Sequence, residues 1–466
     1  MAKVLLVQAA VHDEHVECSQ PLGLLYLASY LRAHSSHEPV IHDMRPTYKR
    51  FDFVADALAR HKPALVAISA QSPEAPVMHR VAEMVKKFDA RVPVVIGGVH
   101  ATAYAEDTMR ADPHIDYVIP GEGEITFHAL VTALLEGGEP TAVDSIVFRD
   151  GDQLRRTPER PVAADPDVIP YPAWDLIDLD VYGRLPRIGM IYAHPRYMMM
   201  ETARACPFDC AWCHKTAGRV HRMHSPEYVI GEFEELVRRH HVGEVTIIDD
   251  MFNARIERVN AIFEGLLSRN IRVPIAVVNG LRSDMLPDET LALMRRAGVY
   301  RVMFAIETAS ERMQTLMRKN LNLEKARRAI ETAHRLGMLI HGNFIIGLPD
   351  ETEAEVRATV DFAVRSHMDT IGLYRATPYK NCDLYEIALQ QGVKLPEGEA
   401  TFSFWESDVN LSRVPLPRLK RLKKSAYWRT YLRPQRLLRL LWRLPNRRKL
   451  VPFLFLFFLR KAFRDN

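Results

Sequence analysis

The first 150 residues alternate between two kinds of apolar pattern. Short continuous apolar runs are typical of buried strands, and between them apolar residues recur at the three- and four-residue spacing of a helix, as in Leu22–Ala33. Strands that are separated by helices pair in parallel, so the pattern predicts a doubly wound α/β domain over residues 1–150. The expected strands are Lys3–Gln8, Val40–His42, Ala64–Ala70, Val94–Gly97 and Tyr117–Pro120.

A second series of strands and helices follows a proline-rich segment. Thr157–Trp174 contains five prolines and no periodicity, which predicts a linker over residues 151–195. Strand and helix patterns then alternate through residues 196–392, which predicts a partial (β/α)6 barrel whose chemistry lies at the carboxyl ends of its strands. The expected strands are Tyr197–Thr202, Val245–Ile248, Ile275–Val278, Val302–Ile306, Ile340–Ile346 and Thr370–Tyr374.

The last part of the chain differs from the rest in charge and hydropathy. From Arg413 onward it has 17 lysines and arginines and one acidic residue, although the whole chain carries only +4. The apolar runs Leu437–Trp442 and Leu450–Leu459 are shorter than the roughly 18 residues that cross a bilayer. We expect residues 393–466 to form a basic, apolar helical extension that associates with a membrane surface. A helical cap on the barrel and RNA binding are alternatives; we expect no nucleic acid as partner.

Three of the five cysteines share one loop at the start of the barrel region, with the spacing Cys-x3-Cys-x2-Cys: they are Cys206, Cys210 and Cys213. Such a triad can hold three irons of a 4Fe–4S cluster and leaves the fourth iron open to another ligand. A zinc site needs a fourth ligand, but Cys18 and Cys382 are remote in sequence and His214 directly adjoins the last cysteine. The chain begins with a short β-type run rather than a signal peptide, so we expect reduced thiols in the cytoplasm.

This cysteine loop, with an aromatic residue (Trp212) before its last cysteine, resembles that of the radical S-adenosylmethionine (SAM) enzymes. The resemblance implies a 4Fe–4S cluster and SAM as cofactors and an external electron donor of the flavodoxin or ferredoxin type. In that family the open iron chelates the methionine part of SAM. One electron then cleaves SAM to a 5′-deoxyadenosyl radical, which abstracts hydrogen from an unactivated carbon.

The same resemblance nominates SAM-binding residues at the strand ends: Trp212 against the adenine, Arg282 for the carboxylate, and Glu307, Asn343 and Gly347 for polar and backbone contacts. Asn343 stands where glycine is usual, and Ala205 stands where glycine often precedes the first cysteine.

Other strand ends are ambiguous. Asp249 and Asp250 could accept the SAM ammonium or cap a helix. Cys382 and Tyr374 are candidate catalytic hydrogen donors near the radical site, although an inert buried cysteine is the more common case.

Three loops in the first domain suggest a second cofactor. The candidate residues are Ser69, Ser72, Gly97, Gly98, His100, Gly121, Glu122 and Gly123. Together the Gly-Gly-x-His and Gly-Glu-Gly-Glu loops resemble the flavodoxin- or Rossmann-like cobalamin-binding domain that precedes many radical SAM domains. The Asp-x-His-x-x-Gly motif that supplies a cobalt ligand is absent, so we expect no histidine from it on cobalt. The alternative is an empty domain that only positions its neighbour.

These resemblances imply a cobalamin-binding radical SAM enzyme, similar to class B radical SAM methyltransferases and to anaerobic magnesium-protoporphyrin monomethyl ester cyclases. We expect methyl transfer to an unactivated carbon of an apolar small molecule or lipid, at the inner face of the membrane. Radical cyclisation, C–C coupling or oxidation without methyl transfer is the alternative chemistry. A non-catalytic cobalamin-sensing module is a third possibility, which the open iron argues against.

Overall fold

The computed structural model describes residues 1–10, 19–46, 50–185, 191–213, 218–396, 409–445 and 448. These residues divide into two compact units. The first contains the described chain through residue 185, and the second contains residues 191–213 and nearly all later described residues. Each unit has its own parallel sheet and its own apolar core.

The first unit is the doubly wound α/β sheet that the apolar pattern predicts. Its strand order is β2-β1-β3-β4-β5-β6-β7, in which β1 to β5 are parallel. The strands are β1 (Lys3–Gln8), β2 (Glu38–Asp43), β3 (Leu65–Ser69), β4 (Val94–Gly97), β5 (Tyr117–Val118), β6 (Val147–Asp150) and β7 (Gln153–Arg156). The helices are α1 (Leu22–His34), α2 (Phe51–His61), α3 (Ala75–Phe88), α4 (Gly98–Ala111), α5 (Glu124–Glu136) and the short α6 (Leu179–Tyr182).

Strand β1 shows why these runs are apolar throughout. Leu5 and Val7 pack into the core on one face of the sheet, and Val4 and Leu6 pack into the core on the other. Because helices cover both faces, alternate side chains are all removed from water and no polar alternation appears in the sequence.

The sheet continues past residue 150 in an antiparallel hairpin. Strand β6 pairs with β7, so β7 falls within the range that we predicted as linker. The turn between them contains Gly151 with a φ of +59°, a conformation that glycine adopts without strain. An Asp-Gly-Asp turn between two short strands is a hairpin signal that the apolar pattern alone does not reveal.

The second unit contains the predicted six parallel strands, in the order β15-β14-β13-β12-β11-β8. Its strands are β8 (Tyr197–Met200), the small antiparallel pair β9 (Ala203–Arg204) and β10 (Arg222–Met223), β11 (Glu244–Ile247), β12 (Ile275–Leu281), β13 (Val299–Glu307), β14 (Leu339–Ile346) and β15 (Thr370–Arg375). Its helices are α7 (Pro226–Arg238), α8 (Ile256–Ser268), α9 (Asp288–Ala297), α10 (Glu311–Leu316), α11 (Leu323–Arg335), α12 (Glu353–Arg365), α13 (Asp383–Gln390), α14 (Leu416–Tyr431) and α15 (Pro434–Arg443).

Helix α14 covers the exposed edge of this sheet. Strand β15 is an edge strand, whose backbone groups would otherwise lack a partner on one side. The backbone N–H groups of Ile371 and Leu373 donate to the phenol oxygens of Tyr431 and Tyr427, at 3.0 and 2.9 Å. The extension therefore completes the barrel at this edge.

Six arginines of the extension are engaged within the second unit. Its arginines pair with acidic residues of the barrel, as in Arg413–Asp350, Arg418–Glu353, Arg429–Asp361, Arg439–Asp369 and Arg443–Asp369. The buried Arg436 donates to the carbonyls of Val364 and Ser366 at the end of α12. These contacts are those of the helical-cap alternative, so the described part of the extension has a structural role that we did not favour.

The run Leu450–Leu459, on which the membrane prediction also depends, lies outside the described residues. Within the described ranges, no helix has both the length and the hydropathy that crossing a bilayer requires.

Candidate functional site

The cysteine loop follows β8 and the short β9, and a buried carboxylate holds the segment between these two strands. Asp249, at the end of β11, accepts hydrogen bonds from the backbone N–H and the hydroxyl of Thr202, each at 2.6 Å. Burial raises the pKa of Asp249 to about 6. Asp249 is completely buried and shielded from a ligand, and its carboxylate bonds to Thr202 rather than to a helix N-terminus, so it anchors the loop. Asp250 is exposed.

Ala205, the residue before the first cysteine, has a φ of +62°. This left-handed conformation is unfavourable by roughly 1–2 kcal/mol for a residue with a Cβ, whereas glycine adopts it without strain. The turn therefore explains why glycine is expected at this position, and alanine keeps the turn at the cost of strain.

The three thiols fit an iron–sulfur cluster by donor type and by their grouping on one loop. Cys210 is buried, Cys206 is partly buried and Cys213 is exposed, and none of the three forms a disulfide. Desolvation raises the pKa of the thiols of Cys206 and Cys210. In the described chain, no three His, Cys, Asp or Glu side chains converge on a site for a single metal ion. Soft thiolates suit iron–sulfur clusters, and iron binding releases their protons.

Arg282 contacts the cysteine loop and pairs with a carboxylate of the protein. Its guanidinium makes a bidentate pair with Asp284, with N–O distances of 3.2 and 3.0 Å, and it also donates to the carbonyls of Lys319 and Asn320. Its flat face lies 4.3 Å from the ring centre of Phe208, within the cysteine loop. Because Asp284 occupies the guanidinium fork, Arg282 has a positioning role in this structure, and its pairing with the SAM carboxylate remains a prediction.

The segment after α10, which carries no recognisable motif, is a second support of the loop. The backbone N–H of Ala211 donates to the carbonyl of Met317, and Arg318 donates to the carbonyl of Asp209. Lys319, next in the chain, is buried and lies near two of the thiols, where its charge lowers their pKa against the effect of burial. A basic pair in a loop has no distinctive pattern, so spacing alone could not identify it.

Glu307 ends β13 in a strained conformation beside Lys319. Its φ is +68°, the pairing register with β14 shifts at this point, and Oε1 lies 3.9 Å from the Lys319 ammonium. Burial raises the pKa of Glu307, and Lys319 opposes the rise. Strained non-glycine residues concentrate at ligand sites. The predicted contact of Glu307 with SAM remains a prediction, now with a buried cation beside it.

The two residues predicted on β14 and after it have different surroundings. The backbone N–H of Gly347 donates to Glu351 at 2.7 Å, and its φ of +81° explains the glycine. Its amide is therefore engaged within the protein. Asn343 faces the interior of the barrel, where it contacts His341 and Met303.

Trp212 and Cys382 pack in one apolar cluster with Ala211 of the cysteine loop. The thiol of Cys382 donates to the carbonyl of Tyr379 at 2.9 Å, and the residue caps α13. The structure thus brings Cys382 close to the loop. The adenine contact of Trp212 and the hydrogen-donor roles of Cys382 and Tyr374 remain predictions.

In the first unit, the loops predicted to bind cobalamin meet at one edge of the sheet. Ser69 and Gly97 are register partners at the ends of β3 and β4, and the N–H of Gly121 donates to Thr102 at the start of α4. The remaining positions lie in the same loops: Ser72 after β3, Gly98 after β4, and Glu122 and Gly123 before α5.

His100 is the exception in this group. Its ring is completely buried, stacks on Tyr104 with ring centres 5.0 Å apart, and lies 3.3 Å from the Thr108 hydroxyl. We therefore correct the prediction of a side-chain contact: His100 is a packing residue of α4.

The reasons for a glycine differ between positions 97 and 98. A Cβ on Gly98, whose φ is +90°, would lie 2.7 Å from the Ser69 hydroxyl, so the fold itself excludes a side chain. Gly97 has an ordinary φ of −140°, and a Cβ there would meet no atom within 4 Å. Open space beside bare backbone at the ligand edge of the sheet fits a large planar group. This edge therefore fits cobalamin.

Two family models match the chain in agreement with this division. The B12 binding domain matches residues 10–131, and the Radical SAM superfamily matches residues 200–363. The second match begins at the end of β8 and includes the three cysteines.

Known proteins resemble the chain along most of its length. An uncharacterized methyltransferase of Pyrococcus horikoshii is 31% identical over 443 residues, 94% of each chain. The anaerobic magnesium-protoporphyrin IX monomethyl ester cyclase of Rubrivivax gelatinosus is 27% identical over 393 residues, 82% of this chain and 69% of the cyclase.

The fold is also that of a solved enzyme. The radical SAM methyltransferase TsrM from Kitasatospora setae superimposes with a TM-score of 0.68 at 19% identity, over 84% of this chain and 76% of TsrM. This likeness establishes the fold. With the full-length relative and the two family matches, it confirms the predicted fold class and cofactors. The chain belongs to the radical SAM enzymes that carry a B12-binding domain, with cobalamin, SAM and a 4Fe–4S cluster as cofactors.

Proposed function

We propose that this enzyme transfers a methyl group to an unactivated carbon of an apolar substrate. The observation that carries the proposal is the Pyrococcus horikoshii relative, which is named a methyltransferase and aligns over nearly the whole of both chains. The cyclase of Rubrivivax gelatinosus shares less identity and a smaller part of its length, so radical chemistry without methyl transfer is the second candidate.

The residues of the second unit suit the first half of this reaction. When bound, the cluster supplies the electron that cleaves SAM, and cobalamin carries the methyl group. Cys206, Cys210 and Cys213 would hold three irons. Glu307 and Lys319 form a buried pair of opposite charges near these thiols, and we assign them to the ammonium and the carboxylate of SAM, respectively.

The first unit suits the second cofactor. Gly97 and Gly121 present backbone without side chains at the carboxyl ends of β4 and β5, and Ser69 places a hydroxyl beside them. We assign these residues to cobalamin. Their contribution is to hold a large group by close backbone contact rather than by charge.

Transfer of an isotopic label tests the proposed reaction. The anaerobically reconstituted enzyme is incubated with a strong reductant, cobalamin, SAM carrying a trideuterated methyl group, and a lipid extract of the source cells. We expect a product 17 mass units heavier than an extract component, because CD3 replaces one hydrogen. Consumption of an extract component without uptake of deuterium would contradict methyl transfer and favour the second candidate.

We further propose that the end of the chain holds the enzyme at a membrane surface. Support comes from the sequence run Leu450–Leu459 and from the exposed apolar residues Leu438, Leu441 and Trp442 on α15. Deletion of residues 446–466 leaves every described arginine pair of the extension in place. We expect the truncated protein to lose binding to anionic phosphatidylglycerol vesicles in a flotation assay; undiminished binding would contradict this assignment.

A further inference from the structure

The inner face of strand β14 is accessible although the strand lies within the sheet. Ile340, Phe344 and Ile346 are completely or almost completely buried on the face that carries α11 and α12. His341, Asn343 and Ile345 alternate with them and remain partly exposed. Since β13 and β15 pair with both edges of β14, this exposure comes from a space on the inner face of the second unit.

The lower end of this space is closed and its upper end lies toward the cysteine loop. Ile191, Leu339, Leu440 and Leu444 form an apolar cluster at the amino-terminal end of β14. At the other end, Ile345 packs against the cluster that contains Ala211 and Trp212. Asn343 lies two residues below Ile345, or about 7 Å along the strand. A small molecule could therefore reach both Asn343 and the neighbourhood of the three cysteines.

A directional chain of hydrogen bonds crosses this face. Thr370 Oγ1 lies 2.7 Å from His341 Nδ1, and His341 Nε2 lies 2.9 Å from Asn343 Oδ1. The amide nitrogen Nδ2 of Asn343 lies 3.2 Å from the sulfur of Met303. A thioether has no hydrogen to donate, so the Asn343 amide must turn its nitrogen to the sulfur and its oxygen to the histidine.

The direction of these hydrogen bonds leaves one strong donor available, an N–H of the Asn343 amide. His341 Nε2–H donates to the Asn343 oxygen, and each amide nitrogen carries two hydrogens. A thioether accepts weakly, and among the described residues Nδ2 has no other acceptor. The row of hydrogen bonds therefore orients the Asn343 NH2 group, and polarisation by the neighbouring groups makes it a stronger donor.

The surroundings of this donor are mostly apolar. In the pairing register, Met303 and Ala305 of β13 stand beside His341 and Asn343. On the other side, Asn343 pairs with Gly372, over which the Tyr374 ring lies so closely that a Cβ at Gly372 would be 2.7 Å from it. A pocket with apolar walls and a few fixed polar groups selects its ligand by those groups. Here they include Asn343 and the hydroxyl of Tyr374, which would lie 2.8 Å from the same Cβ.

We propose that Asn343 is a specificity-determining residue that donates a hydrogen bond to an oxygen of the substrate, and that His341 and Thr370 position its amide. The substrate class is an apolar molecule with a carbonyl, hydroxyl or ether oxygen near the carbon that reacts. This inference deepens the proposed function and rests on an apolar substrate entering the second unit. It differs from the sequence prediction, which assigned Asn343 to SAM.

The test uses the reconstituted enzyme and a lipid extract of the source cells, separated on silica into a hydrocarbon fraction and an oxygen-containing fraction. Formation of 5′-deoxyadenosine is measured with each fraction and without lipid, because it reports radical chemistry whether or not a methyl group is transferred. The variants are Asn343→Leu, Thr370→Val and, as matched control, Thr370→Ser. Melting temperatures and SAM binding are measured for each variant.

We expect only the oxygen-containing fraction to stimulate deoxyadenosine formation. Asn343→Leu should raise the half-saturating amount of that fraction at least tenfold, and Thr370→Val should raise it a few-fold. Thr370→Ser, which keeps the hydroxyl, should stay within twofold of the wild type. SAM affinity and lipid-free deoxyadenosine formation should stay within twofold in both Thr370 variants.

Three results would overturn the proposal. Stimulation by the hydrocarbon fraction, or by neither fraction, contradicts the substrate class. A loss of SAM affinity in Asn343→Leu, with unchanged lipid dependence, assigns Asn343 to SAM. If none of the variants changes the lipid dependence, the hydrogen bonds among Thr370, His341 and Asn343 have only a structural role. Lipid-stimulated deoxyadenosine without a methylated product would refute the proposed methyl transfer and leave this inference standing.

Discussion

The two units of this enzyme present different groups at the carboxyl ends of their parallel strands. The edge of the first sheet offers bare backbone and small hydroxyl residues, with open space at Gly97. The second unit offers thiols, a buried pair of opposite charges, and an arginine that holds the cysteine loop. The first arrangement suits a large, largely neutral surface, and the second suits a metal cluster and a small charged ligand. A site made of backbone leaves a weaker pattern in the sequence than a site made of side chains.

The largest expected effect is in the second unit. Replacement of Cys206, Cys210 or Cys213 by alanine removes one of three iron ligands, so we expect loss of iron–sulfur absorbance and of reductive SAM cleavage, by at least a thousandfold. Cys382→Ala is the matched control, because this cysteine lies in the same apolar cluster but bonds only within the protein. It should keep its iron content. SAM cleavage that survives in the loop variants would mean that the cluster assignment is wrong.

The next largest effect distinguishes loss of cobalamin binding from loss of folding stability in the first unit. Gly97→Ala should weaken cobalamin binding about tenfold or more with an unchanged melting temperature, because its Cβ would meet only the ligand. Gly98→Ala should lower both, because its φ is positive and its Cβ would approach the Ser69 hydroxyl. Cobalamin titration and thermal unfolding of the apoprotein measure the two quantities. Equal loss of stability in both variants would remove the reason for assigning Gly97 to a ligand.

A smaller effect concerns a feature that both units share, a buried glutamate that accepts backbone N–H groups after a strand. Glu74 accepts the backbone N–H of Gln71 after β3, and Glu351 accepts those of Gly347 and Leu348 after β14. Burial raises the pKa of each carboxyl to about 7, despite these hydrogen bonds. The folded protein therefore binds these protons more tightly than the unfolded chain. The resulting stability is complete below about pH 4.5 and is lost as the pH rises to about 7, by up to about 3 kcal/mol per group.

Glu74→Gln and Glu351→Gln should each make stability less dependent on pH across this window. Thermal unfolding of each variant and of the wild type from pH 4.5 to 8 measures the difference. A wild-type pH profile that neither variant changes would contradict the role of burial at these two carboxyls.

The smallest effect concerns the strained turn before the cysteines. Ala205→Gly should relieve the left-handed strain and stabilise the protein by about 1 kcal/mol, less the entropy that glycine loses on folding. The measurement is the denaturant midpoint of the apoprotein. A clear loss of stability would show that packing of the buried Ala205 methyl group outweighs the strain.

The parts of this enzyme that were predictable from its sequence are those with a repeating pattern or a rare residue type. Buried strands such as β1 are apolar on both faces, and three cysteines in eight residues have few alternative explanations. The roles of single polar residues were less predictable. Arg282 stands at a strand end as expected, but Asp284, two residues later, takes its guanidinium, and only the folded backbone determines that pairing.

The same limit explains His100 and the extension. A histidine after a Gly-Gly turn has the same pattern whether its ring faces a ligand or, as here, Tyr104. The arginines after residue 413 resemble a membrane-binding surface until their acidic partners, which are about 60 to 75 residues earlier in the chain, are brought beside them. Pairings over such separations are not visible in local composition.

The proposed methyl transfer consumes two SAM molecules, because one is cleaved to a radical and another supplies the methyl group that cobalamin carries. The most direct test quantifies 5′-deoxyadenosine and S-adenosylhomocysteine from the wild-type enzyme with reductant, SAM and the oxygen-containing lipid fraction. We predict that the lipid-stimulated amounts of the two products are equal and that S-adenosylhomocysteine disappears when cobalamin is omitted. Deoxyadenosine formed with lipid, without S-adenosylhomocysteine and regardless of cobalamin, would contradict the account.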